Sequence, residues 1–304
     1  MKKLVASVLC LALLAAILTG CGSSNTTTNT GATTTTGSTA QVSGSIAMDG
    51  SSALLPLAQT AANQFKQKNP NLSIITNGGG SGTGLNDVLS GTVNIGNSDV
   101  YAAEKLSASD AAKLVDHKVA LIGVAVIVNS DVAKSVKTLS TTQLKSIFNG
   151  QIKNWSAVGG PNESITIINR PTSSGTRALF QKWALGGQTS IEGKTSLQTD
   201  DSNALMTAVG NTKGTIGYVA LSYLTAPSSA IGTVKIDGVA ATYANIYNDT
   251  YQVWGYEHMY TKGQPTSAVK AFLDYMVSSE MATTATKSGY GVISKLNAAA
   301  AASR

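Results

Sequence analysis

One pattern restricts the fold of this chain more than any other, because it occurs three times. Each time, a short apolar segment typical of a β-strand leads through a turn of small residues into a segment with helical spacing of apolar side chains. The three copies cover residues 45–65, 72–89 and 165–183. Strands that alternate with helices in this way predict an α/β protein.

The three turns are rich in glycine, serine and threonine. Their sequences are DGSS at residues 49–52, GGGSGTG at 78–84 and PTSSG at 171–175. The start of a helix has unpaired N–H groups and a partial positive charge, and glycine lets the backbone approach a ligand closely. A single turn of this kind is usually a helix cap, as we expect of Ser52 for the first helix. Three in one chain predict a shared site for a small anion.

An acidic residue, Asp99, ends a further short apolar segment in GTVNIGNSDVY, residues 91–101. A buried carboxylate that faces an unprotonated anion meets only lone pairs, at a cost on the order of several kcal/mol. Phosphate keeps a proton near neutral pH, whereas sulfate has none. Asp99 therefore either accepts a hydrogen bond from a protonated oxyanion or caps the segment that follows it.

The first 20 residues have the pattern of an export signal. Three residues, Met-Lys-Lys, precede an uncharged, mostly apolar run that is shorter than the about 20 residues of a membrane-spanning helix. Leu-Thr-Gly-Cys at residues 18–21 resembles the lipobox of bacterial lipoproteins, which implies cleavage before Cys21 and a diacylglycerol on its sulfur. An ordinary leader that contains a cysteine is the alternative. Residues 21–44 are polar and rich in threonine, which predicts a lipidated, disordered tether.

Composition excludes several other kinds of site. The two cysteines are Cys10, inside the leader, and Cys21, so the folded part has no disulfide and no thiol chemistry. The formal net charge is +6, and it falls to +4 when Lys2 and Lys3 are removed with the leader. This mildly basic chain has no clustered basic run with aromatic residues, so we predict no nucleic-acid partner. A modest positive field suits a small anionic ligand.

An enzyme is the main alternative from another class, because repeated anion-binding turns also suit phosphoryl chemistry. The chain has two histidines, His117 at a predicted exposed helix end and His258 near a predicted hinge, and neither has the spacing of a metal ligand. GxSxG, HExxH and Walker lysine motifs are absent from the sequence. We predict no catalytic residue, no metal and no cofactor, and a phosphatase-type enzyme is the less favoured alternative.

Four motifs in the order GSSALLPLAQTAANQF, GGGSGTG, NIGNSDV and RPTSSGTR resemble those of a known family. They are similar to the motifs of the phosphate-binding proteins of bacterial high-affinity phosphate ABC transporters. The resemblance covers residues 45–295. It implies a two-lobed periplasmic-binding-protein fold of type II, with mixed sheets flanked by helices and the ligand in the cleft between the lobes.

The resemblance also implies that the chain crosses between the lobes twice. Apolar strand-like runs at residues 120–129 and 254–261 suit these crossings. We therefore predict lobe one at residues 45–123 plus 255–304 and lobe two at residues 124–254. Two lobes joined in this way close around a ligand by hinge motion.

By resemblance, nine residues would bind phosphate: Ser52, Ala53, Leu54, Ser81, Asp99, Arg170, Ser174, Gly175 and Thr176. Asp99 matches the proton-accepting aspartate of the family, and Arg170 matches its single phosphate-binding arginine. Thr172 stands where some members carry an acidic residue that could pair with the arginine. The sequence leaves open whether Arg177 contacts the ligand or is a solvated or lobe-bridging charge.

The function that the resemblance implies is transport. The protein would be exported, held by a lipid anchor at Cys21 on the outer face of the cell membrane, and would capture inorganic phosphate. It would deliver the phosphate to the membrane permease subunits of an ABC transporter, for which we expect a monomer to suffice. A binding protein or sensor for another oxyanion, such as sulfate, molybdate or tungstate, is the alternative.

Overall fold

A computed structural model describes residues 41–187 and 197–304 of the chain. The strands are β1 (Gly44–Gly50), β2 (Leu72–Thr76), β3 (Ile95–Ser98), β4 (Leu114–Asn129), β5 (Thr138–Leu139), β6 (Thr166–Asn169), β7 (Leu197–Gln198), β8 (Thr215–Ala220), β9 (Ile231–Ile236) and β10 (Trp254–Lys262). The α-helices are α1 (Leu55–Lys68), α2 (Ser81–Ser90), α3 (Ala108–Ala111), α4 (Ser130–Ala133), α5 (Thr141–Phe148), α6 (Gly175–Trp183), α7 (Ser202–Asn211), α8 (Tyr243–Tyr247), α9 (Ser267–Met276), α10 (Ser279–Lys287) and α11 (Ala298–Ala302). The predicted leader, Cys21 and the tether up to residue 40 lie outside the described residues.

The strands form one mixed sheet in the order β2-β1-β3-β10-β4-β8-β6-β7, and β9 pairs with β4 and β5. On one side, β1 is parallel to β2 and β3, and on the other side β6 is parallel to β7 and β8. Between these two groups, β10 and β4 run antiparallel to their neighbours. The carboxyl ends of parallel strands share one edge of a sheet, where α/β proteins place their ligands. The predicted α/β class, a mixed sheet flanked by helices, is therefore confirmed.

The long strand β4 joins the two groups. It pairs with β10 as far as Gly123 and with β8 from Val124 onward. One buried core cluster lies on the β1 side and contains Phe65, and another lies on the β8 side and contains Phe180. This change of partner coincides with the predicted crossing between lobes, although residues 41–304 as a whole form one compact unit.

Two local predictions are wrong. Helix α1 begins at Leu55 with Leu54 as its N-cap, so Ser52 does not cap it. His117 lies half-buried inside β4, with Nε2 at 3.2 Å from Oγ1 of Thr261, and not at an exposed helix end. The polar residues around His117 alternate between half-buried and exposed positions, as in a strand that is covered on one face only.

Among the helices that the structure describes, none is long and apolar enough to cross a bilayer.

Candidate anion-binding site

The three small-residue turns meet between the two groups of strands. The N–H of Gly82 donates to the carbonyl oxygen of Ser173 at 2.9 Å, which joins the second turn to the third. The N–H of Gly80 donates to the carbonyl oxygen of Gly50 at 2.8 Å, which joins the second turn to the first. Turns that are far apart in sequence thus form one surface.

The nine predicted residues all lie on these turns or directly after the neighbouring strands. Those at helix starts are Leu54, which is the N-cap of α1, Ser81, which begins α2, and Ser174, Gly175 and Thr176 at the start of α6. Ser52 and Ala53 precede α1, Asp99 follows β3, and Arg170 follows β6. The assembled surface therefore presents three helix N-termini, an arrangement that favours an anion.

Asp99 is a buried carboxylate at the centre of this surface. Its Oδ2 accepts a hydrogen bond from Oγ1 of Thr176 at 2.7 Å, and its Oδ1 accepts one from Oγ of Ser51. Its backbone N–H donates to Oγ of Ser81 at 2.9 Å. The side chain of Asp99 is thus fixed by hydroxyl groups from the first and third turns, which fits an acceptor and not a cap.

Ser51 is a residue of the site that sequence analysis misses. Its Oγ accepts hydrogen bonds from the N–H groups of Ala53 at 3.1 Å and Leu54 at 3.0 Å, and it donates to Asp99. The neighbouring hydroxyl of Ser52 donates to the carbonyl oxygen of Asp200 at 2.6 Å. The sequence shows two adjacent serines but gives no sign of which one faces the carboxylate.

Gly175 begins α6 where no side chain would fit. A Cβ atom at this position would lie 2.8 Å from Cβ of Asp99 and would overlap Oγ of Ser81. Real Cβ atoms do not approach other heavy atoms this closely, so the backbone of α6 can come near Asp99 only with glycine here.

Arg170 is fully buried beside the same surface. Its Nη2 donates to Oγ of Ser202 at 2.9 Å, and its Nη1 donates to the carbonyl oxygen of Asp200 at 3.1 Å. Within the described residues its Nε has no hydrogen-bond partner. The guanidinium group is therefore positioned by α7 and the loop before it while it keeps an N–H available.

Asp200 supplies the acidic partner of Arg170 that Thr172 does not provide. Its Oδ1 lies 3.5 Å from Nη1 of Arg170. Burial raises the pKa of Asp200, and the charge of Arg170 opposes this effect. A Cβ on Gly80 would overlap Oδ2 of Asp200, so the second turn is shaped around this carboxyl group.

A sequence signal for Asp200 exists, although it is easily read as part of a helix cap. Two aspartates precede α7, and Asp201 is its N-cap, accepting from the N–H of Ala204 at 2.8 Å. Asp201 fills the capping position, so Asp200 is left available for another contact.

Arg177 supports the third turn from inside. It is buried, and its Nη1 donates to the carbonyl oxygen of Arg170 at 2.6 Å. Its own N–H donates to Oγ of Ser174, the N-cap of α6. The solvated alternative for Arg177 is therefore wrong, and the side chain holds the backbone that carries Arg170.

A third cation near the surface, Lys105, is also missed by sequence analysis. Its Nζ donates to the carbonyl oxygens of Thr172 at 2.7 Å and Ser174 at 3.2 Å. Burial lowers the pKa of Lys105, whereas the negative charge of Asp99 opposes this effect. Lys105 thus joins the segment after β3 to the turn before α6.

The groups on this surface are suited to binding an anion. It offers hydroxyl groups, helix N–H groups and a guanidinium group, together with one carboxylate acceptor. Within residues 41–187 and 197–304, no group of three or more His, Cys, Asp and Glu side chains could hold a metal ion. His258 pairs with Asp116 through Nδ1 and Oδ1 at 2.7 Å.

A cavity of about 620 Å³ opens elsewhere, beside α9, α10 and residues 291–294. Its walls are mostly apolar and include Met276, Ala282 and Ile293. None of the nine predicted residues lines this cavity, so the cavity is not the predicted anion site.

Comparison with known sequences finds relatives among the phosphate-binding proteins. The sequence profile of the PBP superfamily domain matches residues 30–280. The phosphate-binding protein PstS of Bacillus subtilis is 47% identical over 241 residues, which are 79% of this chain and 78% of that protein.

Solved structures with a similar fold include binding proteins described as parts of phosphate transporters. A Clostridium perfringens protein described as a phosphate ABC transporter substrate-binding protein, solved with bound phosphate, is 28% identical. It has a TM-score of 0.73 and covers 82% of this chain and 100% of its own. An ABC-type phosphate transport receptor from Vibrio cholerae is 23% identical with a TM-score of 0.65, covers 81% of this chain and 99% of its own, and shares the fold.

Proposed function

Because this chain belongs to the PBP superfamily and, within it, to the PstS phosphate-binding proteins, we propose that it captures inorganic phosphate and delivers it to an ABC-type importer. The observation that carries this proposal is the buried Asp99, held by Ser51 and Thr176 where three helix N-termini meet beside Arg170. Donors of these kinds suit a tetrahedral oxyanion, and the carboxylate suits one that retains a proton. A PstS-type protein is a transport component and not an enzyme.

The proposal is tested by calorimetric titration of the purified full-length protein, stripped of bound ligand by unfolding and refolding. We expect tight binding of phosphate and binding of sulfate that is at least about a thousandfold weaker, since a site with a buried acceptor rejects a ligand that has no proton for it. Equal affinity for the two anions would favour a binding protein for another oxyanion. No binding of either anion would favour a sensor role.

We also propose that the nine residues bind phosphate in a cleft between lobe one, residues 45–123 plus 255–304, and lobe two, residues 124–254. The partner change of β4 between Gly123 and Val124 supports this division. So do the contacts that cross it, from Gly82 to Ser173 and from Ser52 to Asp200. In this arrangement each lobe supplies part of the donor set, and closure brings the parts together.

Replacing Lys105 with methionine is expected to speed phosphate release by about fivefold, because Lys105 of lobe one donates to two carbonyl oxygens of lobe two. A net contribution of about 1 kcal/mol is typical of such hydrogen bonds. Stopped-flow measurement of phosphate dissociation tests this, with Lys270→Met as the control, since Lys270 is exposed and pairs with Asp274 on its own helix. An unchanged dissociation rate in Lys105→Met would show that this contact does not hold the lobes together.

The membrane attachment is likewise a proposal. We propose that Cys21 carries a diacylglycerol, that residues 21–44 tether the binding unit to the outer face of the cell membrane, and that a monomer meets the permease subunits. The compact unit begins at Gln41 and β1 begins at Gly44, so the last four residues of this segment belong to the folded unit and residues 21–40 would act as the spacer. Two acyl chains suffice for stable anchoring. Cys21→Ala should release the protein from the membrane fraction in cell fractionation, and continued retention would contradict the anchor.

A further inference from the structure

A buried carboxyl group, that of Glu257, lies beside Asp99 and takes no part in the contacts described above. The ladder between β10 and β3 pairs His258 with Ser98, which brings Glu257 level with Asp99. A Cβ on Gly255, the residue two positions earlier, would lie 3.3 Å from the carbonyl oxygen of Asp99. The ladder with β4 shifts register between Glu257 and His258, and such bulges often re-aim a side chain next to a site.

The environment of Glu257 offers no compensation for a negative charge. The side chain is 0% exposed, and among the described residues its carboxyl oxygens meet no hydrogen-bonding group other than the carboxyl group of Asp99. The titratable groups that face it are Asp99, Tyr243 of α8 and Tyr290, which follows α10, and none of them is a cation. Both tyrosine hydroxyls donate to backbone carbonyl oxygens, at 3.0 and 2.5 Å.

Two carboxylates that lie side by side in a buried site cannot both ionise without a large cost. Both oxygens of Asp99 accept hydroxyl hydrogen bonds, whereas Glu257 accepts none from a hydroxyl group. Burial, followed by the negative charge of Asp99, accordingly raises the pKa of Glu257 well above its usual range.

We propose that Glu257 is a neutral carboxylic acid in the phosphate-bound protein, and that its ionisation sets the alkaline limit of phosphate affinity. This inference rests on the proposed function. Phosphate held by Asp99 brings further negative charge to the same place and so favours the protonated form of Glu257. By linkage, the proton on Glu257 favours phosphate to the same extent. Each unit by which phosphate raises the pKa of Glu257 corresponds to an about tenfold loss of affinity once Glu257 is ionised.

Glu257 is thus a positioning residue that acts through Asp99, and Glu257→Gln separates this role from a merely structural one. Glutamine has nearly the same size and is neutral at every pH. We expect Glu257→Gln to match the wild type in phosphate affinity near neutral pH and to lose less affinity than the wild type as the pH rises to about 10. Phosphate itself changes charge over this range, but it does so equally for both proteins.

The experiment is calorimetric titration of phosphate into both full-length proteins from about pH 6 to about pH 10, with Glu280→Gln as the control. Glu280 is half-exposed and pairs with Lys68, so its variant should follow the wild-type profile. If Glu257→Gln does not fold, Glu257→Met replaces it, because methionine also cannot titrate. Parallel pH profiles in a folded variant and the wild type would overturn the proposal.

Unfolding of the ligand-free proteins provides a test that does not depend on phosphate. The pKa of Glu257 is higher in the folded protein than in the unfolded chain, so the stability that this group contributes is lost as the pH rises through the folded-state pKa. The free energy of unfolding of Glu257→Gln should therefore rise relative to that of the wild type with increasing pH. A difference between the two proteins that does not change with pH would contradict the proposal that Glu257 is protonated in the folded protein. A wild-type protein that binds no phosphate at any pH would overturn the proposed function and with it the alkaline limit.

Discussion

Replacing Asp99 with asparagine is expected to weaken phosphate binding by about tenfold to a hundredfold and to bring the affinity for sulfate closer to that for phosphate. A hydrogen bond to a charged group contributes about 1.5–3 kcal/mol, and asparagine removes the charged acceptor that a protonated phosphate oxygen needs. The amide also introduces N–H donors, which suit an anion that has no proton. The ratio of the two affinities should therefore fall further than the affinity for phosphate.

Calorimetric titration of phosphate and sulfate into the wild type and Asp99→Asn measures both changes. Asp274→Asn is the matched control, because Asp274 is exposed and makes its ion pair with Lys270 at the protein surface. Asparagine can still accept the hydroxyl of Thr176 or Ser51 through its one carbonyl oxygen, so the variant is expected to fold, as circular dichroism would establish. A wild-type ratio of affinities in Asp99→Asn would show that Asp99 only organises the turns.

The parts of the site that the sequence predicts are those marked by neighbours along the chain. Gly175 stands at the boundary between a small-residue turn and a helix, where a close backbone approach is expected. Asp99 and Arg170 each follow a strand directly. Periodicity places these positions at the ends of strands and at the start of a helix. The binding roles of Arg170 and Gly175 are implied by the resemblance to the family.

The remaining residues are joined to the site by tertiary contacts over long separations in sequence. Lys105 reaches the carbonyl oxygen of Thr172, which lies 67 residues further along the chain. Asp200 meets Arg170 from the loop before α7, and Glu257 reaches Asp99 only because β10 pairs with β3. No local pattern contains the order of strands in the sheet. Lys105 and Glu257 therefore resemble ordinary surface or strand residues in the sequence, and Asp200 resembles part of a helix cap.

The length of β4 is a related case. The sequence predicts a strand from about residue 120, where the run becomes continuously apolar, yet the strand begins at Leu114. Its first half carries Asp116, His117 and Lys118, which are partly exposed, whereas every residue from Val119 to Asn129 is buried. Burial on both faces gives an unmistakable apolar run, whereas burial on one face gives a mixture that also suits a helix.

Replacing Arg170 with methionine is expected to lower phosphate affinity more than Asp99→Asn does, by between about thirtyfold and several thousandfold. Loss of one partner from a buried, hydrogen-bonded charge pair costs about 2–5 kcal/mol. Two effects add in this case. Phosphate loses a guanidinium donor, and the carboxyl group of Asp200 loses the cation that lies 3.5 Å from it and so faces the anion uncompensated.

These two effects are separated by a double-mutant cycle with Asp200→Asn. If Asp200 repels phosphate once Arg170 is gone, then Asp200→Asn should restore part of the affinity in the Arg170→Met background while it weakens binding in the wild type. Residues in contact typically show interaction energies of about 0.5–3 kcal/mol in such cycles. Calorimetric titration of phosphate into the four proteins gives this energy directly.

Additive effects, within about 0.5 kcal/mol, would mean that Asp200 is not the functional partner of Arg170 despite the short distance between them. The carbonyl oxygen of Asp200 and the hydroxyl of Ser202 would then position the guanidinium group by themselves. A non-additive result would instead place the acidic partner of this arginine on the loop before α7. An acidic side chain at position 172 would then be unnecessary, because the loop before α7 already supplies the negative charge.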